Sequence, residues 1–294
     1  MKTSQIEMFL YTVETGSIAE AARKLQKSRT TVSAALNTLE DELGVSLLSR
    51  TGNRITPTEI GASIANDCQR MLLISNDITS KCSQYNAGIA STIRVVRDDA
   101  LPESIWREIL ARMSRKFPNT CISIYVAPSP ELENMVTQNM VDVAYGLFPI
   151  NNRSIHLHQN ELGQIRLMSV AHKDHPLSQL RKVNQIDLET NTEIIVNYIT
   201  DDELIAVESK SSKYIALNFY EHLRDAVLDK TGWSSVPALL MNEYLRDGTL
   251  KVLRHNRAMN WLSFTEITKA NMSRSVIIDW LSEQVEDYLL EVSE

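Results

Sequence analysis

The chain has 294 residues, of which 43% are hydrophobic and 23% charged, and its 30 basic and 37 acidic side chains give a net charge of −7. This length predicts more than one folded unit, and the lack of any apolar run near the ~20 residues that cross a bilayer excludes a membrane-spanning helix. The acidic balance excludes a protein that coats nucleic acid over its whole surface, but it is compatible with a local basic face.

The N-terminal segment predicts a first helix over about residues 3–15, because its apolar residues recur at helical spacing. Glu7 and Glu14 interrupt the continuous apolar core that a secretory signal needs. We therefore expect a cytoplasmic protein. Basic and acidic side chains balance before residue 91, so the excess of acid lies in the remainder.

Two further helices are predicted directly after the first. Ser17 and Glu20 have the spacing of a capping box and begin a second helix. Ser28 is a favourable N-cap for a third helix, which Gly44 ends. Two helices joined by so short a turn make a helix-turn-helix.

The third helix carries an apolar stripe on one face, which leaves short polar side chains and one long cation outward in its first half. The residues predicted to face the major groove of DNA are Arg29, Thr30, Thr31, Ser33 and Asn37. Ser28 is expected to cap the helix and meet phosphate. Glu40, Asp41 and Glu42 would repel phosphate, so contact with DNA should end before them. The alternative is an ordinary solvated helix face.

A β wing is predicted next, because Arg50 and Arg54 flank the Gly52-Asn53 turn. Both arginines are expected to contact the DNA backbone. Thr56 and Pro57 then suggest the cap and first position of a long helix.

The long helix carries an apolar row spaced 4-3-4-3, which predicts a coiled-coil seam with a second copy of the chain. The row comprises Ile64, Cys68, Met71, Ser75, Ile78, Cys82, Tyr85 and Ile89. The alternative is packing on the large domain of the same chain. Cys68 and Cys82 share one seam position, so a regulatory thiol pair is a further hypothesis, against the alternative that they are small apolar side chains. The three cysteines suggest neither a disulfide scaffold nor zinc.

Strands alternate with helices in the remaining two hundred residues, as in a parallel α/β sheet. Strands are predicted at TIRVV, CISIYVAP, DVAYGLF, IRLMSVAH, TEIIVNYI, WSSVP and LKVL, and helices at PESIWREILARMSRKFP, ELENMVTQNMV, around Leu217 to Leu228, ALLMNEYLRDG and RSVIIDWLSEQVEDYLL. No nucleotide-binding glycine motif or nucleophile motif occurs, so neither an enzyme nor a cofactor is expected. His172 and His175 lie beside a proline turn and do not suggest a metal site.

The segment from Gly16 to Gly61 resembles the winged helix-turn-helix of LysR-type transcriptional regulators. It carries G-S-(x)3-A-A-x-x-L, S-(x)3-V-S, L-E-x-x-L-G and T-x-x-G at the usual spacing, and departs from the family at Thr30, Thr31 and Ala34. The rest of the chain resembles the LysR-type effector domain, similar to periplasmic solute-binding proteins. Its markers include DVAYGL, LMSVAHKDHPL and GWSSVP.

The resemblance implies an inducer cleft between two α/β lobes, often for small anions. Its residues would be Asp98, Ala100, Ser129, Thr200 and Trp233. Asp98 stands where the family has a hydroxyl, and its charge would repel a small acid unless Arg97 or another cation compensates. The alternative is that Asp98 and Asp99 cap the helix that follows.

These observations predict a sequence-specific DNA-binding transcriptional regulator that senses a small molecule or a partner. The predicted domains are a winged helix-turn-helix (1–58), a linker helix (59–90) and an effector domain (91–294), with a first lobe at 91–162 and 268–294 and a second at 163–267. We expect a homodimer or homotetramer on double-stranded DNA with a dyad-symmetric site. The alternatives are a small-molecule sensor or an α/β enzyme without a DNA function.

Overall fold

The computed structural model describes residues 1–51, 54–148, 156–272 and 274–293. It divides into two compact units, Met1–Ala87 and Gly88–Glu294, which are described separately. Among the described helices, none combines the length and the apolar character that crossing a bilayer requires.

The first unit is a helical domain with a two-stranded hairpin. Its elements are α1 (Thr3–Thr15), α2 (Ile18–Lys24), α3 (Arg29–Leu43), β1 (Leu48–Thr51), β2 (Arg54–Pro57) and α4 (Glu59–Asn86). The predicted helix-turn-helix is confirmed: Ser17 caps α2, and Ser28 caps α3. Gly44 ends α3 with a φ of 69°, a left-handed conformation that favours glycine. The carboxylate of Glu20 pairs with Arg23, so only the Ser17 half of the expected capping box forms.

The start of α4 differs from the sequence prediction. Thr56 and Pro57 belong to β2, where they pair with Ser49 and Leu48 of β1. The helix is capped instead by Thr58, whose hydroxyl accepts a hydrogen bond from the Gly61 N–H at 3.1 Å. Pairing across the hairpin therefore overrides the local cap signal at Thr56. The turn residues Gly52 and Asn53 lie outside the described residues.

The predicted seam of α4 is only partly buried. Ile64 and Cys68 pack with the core of the first unit, around Phe9 and Leu36. Farther along, Met71, Ile78 and Tyr85 are exposed. The helix ends at Asn86, so the seam does not extend to Ile89, which packs in the core of the second unit.

The second unit is a two-lobed α/β domain. Its strands are β3 (Thr92–Arg97), β4 (Cys121–Val126), β5 (Val143–Phe148), β6 (Leu157–His172), β7 (Glu193–Thr200), β8 (Glu203–Ala206), β9 (Tyr214–Leu217), β10 (Trp233–Pro237), β11 (Leu250–Val252) and β12 (Met259–Lys269). Its helices are α5 (Glu103–Lys116), α6 (Ser129–Thr137), α7 (Pro176–Gln179), α8 (Gln185–Thr190), α9 (Tyr220–Leu228), α10 (Asn242–Arg246) and α11 (Val276–Ser293).

The sheet is mixed, and two long strands connect the lobes. The strand order is β4-β3-β5-β12-β6-β10-β7-β8, with β11 paired to β6 and β9 to β7. Strands β3, β4 and β5 are parallel in the first lobe, and β7, β9 and β10 are parallel in the second. Strands β6 and β12 run antiparallel to each other from one lobe into the other. The sequence did not predict β12, which is essential to this connection.

Each lobe has its own core. In the first, α5 and α11 cover one face of the sheet around Trp106, Tyr145 and Leu281, and α6 covers the other around Leu132. In the second, α9 packs on the sheet around Val227. The segment that follows β3, the end of β5 and the start of α6 lie close to α9 of the other lobe.

Candidate nucleic-acid interface and ligand cleft

The N-terminal turn of α3 is built by its cap. The Ser28 hydroxyl accepts a hydrogen bond from the Thr31 N–H at 3.0 Å and lies 2.7 Å from the hydroxyls of both Thr30 and Thr31. Burial of Val32 and Leu36 fixes which face of the helix is outward. Among the predicted DNA contacts on α3, Ser33 is half-buried, while Ser28, Arg29, Thr30, Thr31 and Asn37 are exposed.

The hairpin is tied to α3 by side chains. The Arg50 guanidinium donates a hydrogen bond to Oδ1 of Asn37 at 3.1 Å, which joins two predicted DNA contacts. Oε1 of Glu40 accepts hydrogen bonds from the Leu47 and Leu48 N–H groups at 2.6 and 2.9 Å. Glu40 therefore orients the strand that carries Arg50, a role that sequence reasoning missed.

The exposed face formed by α3 and the hairpin carries three arginines, Arg29, Arg50 and Arg54. Among the described residues, no carboxylate forms an ion pair with Arg29, Arg50 or Arg54, all of which are exposed. By contrast, Arg23 and Arg70 pair with acids of their own helices. Cations without acidic partners next to an exposed helix N-terminus suit a phosphate backbone.

A buried carboxylate lies between the lobes of the second unit. Asp98 follows β3 and is only 1% exposed. It accepts hydrogen bonds from the N–H groups of Ala100 at 3.1 Å and Leu147 at 2.7 Å, and from the Ser129 hydroxyl at 2.7 Å. Burial raises the pKa of Asp98 to about 6, although these three hydrogen bonds oppose the shift.

The neighbouring carboxylate connects the lobes. Asp99 accepts a hydrogen bond from the Glu221 N–H at 2.9 Å, at the start of α9. Burial raises the pKa of Asp99. The expectation that Asp98 and Asp99 cap α5 is wrong, because α5 begins after Pro102 without a side-chain cap. Asp99 instead serves the first turn of a helix in the other lobe.

Arg97 does not neutralise the Asp98 carboxylate. Its guanidinium pairs with Glu103 and lies 5.1 Å from the ring centre of Trp106. Toward Asp98 it donates to the backbone carbonyl, at 3.1 Å, and not to the carboxylate. The compensation by Arg97 that the sequence left open is therefore absent in this structure.

A cleft of about 290 Å³ opens beside this cluster. Its lining consists of Ser129, Pro130, Leu147, Glu193, Ile194, Ile195, Val196, Val207, Glu208, Lys210, Tyr220, Leu223, Ser235 and Leu262. Tyr220 is half-buried, and desolvation together with the nearby carboxylates of Asp98 and Asp99 raises the pKa of its phenol. Sequence reasoning did not identify Tyr220 or Glu193, because their places in the cleft depend on the packing of the lobes.

The other predicted effector residues are dispersed. Ala100 is fully buried, and only its N–H takes part, as a donor to Asp98. Thr200 lines a different cavity, of about 680 Å³, together with Met135 and Tyr125. Trp233 is fully buried in β10 and donates to the Asn191 carbonyl at 3.4 Å, so its side chain does not line the cleft.

The histidines and cysteines have local explanations. His175 accepts a hydrogen bond from the Leu177 N–H and caps α7. Within the described ranges, no cluster of three metal-ligating side chains occurs. Cys68 is buried with a raised pKa, caused chiefly by desolvation, whereas Cys82 and Cys121 are exposed. The two thiols of the proposed seam pair are therefore not equivalent.

A capped helix-turn-helix with a basic hairpin, followed by a two-lobed domain with an internal cleft, defines a ligand-responsive DNA-binding regulator. Two family descriptions match the chain: "Bacterial regulatory helix-turn-helix protein, lysR family" over residues 3–62, and "LysR substrate binding domain" over residues 86–289. The chain belongs to the LysR family of transcriptional regulators and is not an enzyme.

Relatives and solved structures agree with this assignment. The chain is 28% identical to the multiple virulence factor regulator MvfR of Pseudomonas aeruginosa, covering 85% of this chain and 75% of that protein. It is 25% identical to the transcriptional activator AaeR of Escherichia coli, and the match covers 99% of this chain and 95% of that protein. The fold matches an OxyR C206 mutant of Corynebacterium glutamicum with a TM-score of 0.62 at 17% identity, covering 99% of this chain and 93% of that one. It also matches CbnR, a LysR family transcriptional regulator, with a TM-score of 0.56 at 17% identity, covering 97% of this chain and 100% of that one.

Proposed function

We propose that the N-terminal half of α3 reads base edges in the major groove while the hairpin holds the DNA backbone. The observation that carries this proposal is the contact between Arg50 and Asn37, which fixes the hairpin arginine beside the exposed face of α3. Thr30, Thr31 and Ser33 supply short polar groups and methyls for base edges, and Arg29, Arg50 and Arg54 supply charge for phosphates.

We further propose that the chain acts as a homodimer or homotetramer on a dyad-symmetric site, with half-sites about 10 base pairs or a multiple apart. The exposed apolar row of α4 supports this, because Met71, Ile78 and Tyr85 are large side chains in contact with solvent within their own unit. The domain limits 1–58, 59–90 and 91–294 and a cytoplasmic location belong to the same proposal.

The cleft beside Asp98 is proposed as the site of a small effector. Its apolar walls with a few polar groups, among them Ser129, Glu193 and Tyr220, are typical of small-molecule sites. Thr200 and Trp233 do not line the cleft, so any effect of these two residues on the effector would act through other residues.

The test of the DNA interface uses two arginine variants. Arg50→Ala is expected to weaken binding to all DNA sequences and to reduce the slope of log affinity against log salt by about one unit. Arg112→Ala is the control, because Arg112 is an exposed arginine on α5 in the other unit. Titrations of the gene's upstream DNA at several salt concentrations measure both. Equal salt slopes for Arg50→Ala and wild type would contradict the backbone role.

A further inference from the structure

Three hydrogen-bond donors from three separate segments converge on one carboxylate. The Ala100 N–H follows β3, the Ser129 hydroxyl begins α6, and the Leu147 N–H lies in β5. Among the described residues, no cation forms an ion pair with this carboxylate, and the Arg97 guanidinium is paired with Glu103. Such a set of converging N–H and O–H donors is what a protein uses to hold an anion.

The carboxylate fills this position completely. A Cβ atom added at Gly146 would lie 2.8 Å from Oδ2 of Asp98 and 2.6 Å from Cδ1 of Leu132. Asp98 is therefore packed against the β5 backbone and, at 1% exposure, occupies this position itself. Removal of its side chain would expose donors toward the cleft, because Ser129 and Leu147 both line it.

The rest of the cleft offers little to an anion. Its charged side chains are Glu193, Glu208 and Lys210, so carboxylates outnumber cations. Most of the other lining residues are apolar, such as Ile195 and Leu262. A carboxylate ligand would meet like charge there, whereas a hydroxyl or ammonium group could donate to the exposed carboxylate of Glu208. The Glu193 carboxylate already accepts hydrogen bonds from Ser209, Lys210 and Ser211.

We propose that Asp98 is the permanent occupant of the anion position in the cleft, so that the cleft rejects small carboxylates and takes a neutral or cationic ligand with an apolar body. This rests on the proposed function insofar as the cleft is the effector site. The chain thus provides internally the carboxylate that would otherwise come from a ligand.

The test is rescue by acetate in the full-length chain. Asp98→Ala should create a vacant anion position, so acetate at about tenfold its dissociation constant should raise the melting temperature of the second unit by roughly 3–6 °C over equal ionic strength of chloride. Wild type should shift by less than ~1 °C under the same conditions. All four tryptophans lie in the second unit, so tryptophan fluorescence reports its unfolding.

Three controls make the result specific. Asp98→Asn removes the charge but keeps the position filled, so acetate should not stabilise it. Asp287→Ala removes an exposed carboxylate of α11 and should behave as wild type. Acetamide, which has the shape of acetate without its charge, should not rescue Asp98→Ala. If the alanine variant does not unfold cooperatively, Asp98→Ser carries the same test.

An equal acetate response of wild type and Asp98→Ala would overturn the proposal, as would absence of rescue in both the alanine and the serine variants. On wild type, benzylamine should stabilise more than benzoate, and the reverse order would also overturn it. Gel retardation of wild type on DNA is measured separately: its failure would contradict the proposed function and leave the acetate result intact.

Discussion

Glu40 is the first acidic residue after the proposed DNA-facing part of α3, and its side chain holds the first strand of the hairpin. Its Oε1 accepts the N–H groups of Leu47 and Leu48, whose residues are 1% and 9% exposed. Glu40→Ala leaves both donors without a partner, at about 1–2 kcal/mol each, so we expect the free energy of unfolding to fall by about 2–4 kcal/mol. In a unit as small as Met1–Ala87, 1 kcal/mol changes the melting temperature by about 4–8 °C, so the variant should melt roughly 10–30 °C lower.

The assay separates the two units. Far-UV circular dichroism follows both units, whereas tryptophan fluorescence follows only the second, so the variant should lose helical signal before its fluorescence changes. Glu40→Gln keeps an acceptor oxygen and should lose about half as much, because a neutral acceptor is weaker than a carboxylate. Asp41→Ala is the matched control, since the Asp41 side chain is exposed and makes no hydrogen bond or ion pair among the described residues. If Glu40→Ala and Asp41→Ala melt together, the account of Glu40 is wrong.

Three further predictions concern the packing of Gly61, the burial of Asp98 and the accessibility of the cysteines. Gly61→Ala places a Cβ 2.1 Å from the Leu47 carbonyl oxygen and should destabilise the first unit by about 1–3 kcal/mol, whereas Ala62→Gly should cost only about 1 kcal/mol; circular dichroism melts compare the two. The folded-state pKa of Asp98, about 6, lies above its ordinary value of 3.8, so its stabilising contribution is complete below pH 3.8 and is lost as the pH rises through 6. When the pH falls from 7 to 5, the free energy of unfolding of wild type should therefore rise by about 1 kcal/mol relative to that of Asp98→Asn. Urea unfolding followed by tryptophan fluorescence measures this difference. The nearby ionisable groups Asp99, Tyr220 and Glu103 are present in both proteins. No change in that difference would refute the burial argument. A thiol reagent should modify Cys82 and Cys121 quickly and Cys68 slowly, and fast reaction of all three would show that Cys68 is accessible.

Local signals were sufficient for the helix-turn-helix. The limits of α3 follow from the sequence, because the signals for them lie at the helix ends themselves. Ser28 caps the start, and Gly44 adopts the left-handed backbone conformation that ends the helix. Thr56 failed as a cap because its backbone pairs with Ser49, a contact that sequence does not display.

Strand β12 was missed for a related reason. Its segment MNWLSFTEITK mixes polar and apolar residues, and its buried Glu266 is stabilised by Arg274 and Ser282 from later in the chain. A buried charge with distant partners cannot be told from an exposed one by periodicity.

The candidate sites also combine features that local sequence predicts with features that depend on distant contacts. Exposure of Arg29 and Thr31 follows from the apolar stripe of α3, whereas the contact between Arg50 and Asn37 needs the folded hairpin. Asp98 was identified by resemblance, but its donors lie as far as 49 residues away in the chain.

The central claim is that the N-terminal half of α3 reads DNA sequence, and selection from a pool of randomised duplexes tests it most directly. The experiment compares wild type with Thr31→Val in the N-terminal half of α3 and Thr38→Val in its C-terminal half. Among the described residues, the Thr38 hydroxyl donates to the Ala34 carbonyl and makes no other hydrogen bond. We predict a dyad-symmetric consensus for wild type, the same consensus for Thr38→Val, and an altered base at matching positions of both half-sites for Thr31→Val, at about 1–3 kcal/mol per base. One unchanged consensus for all three proteins, or bound DNA without any consensus, would contradict the account.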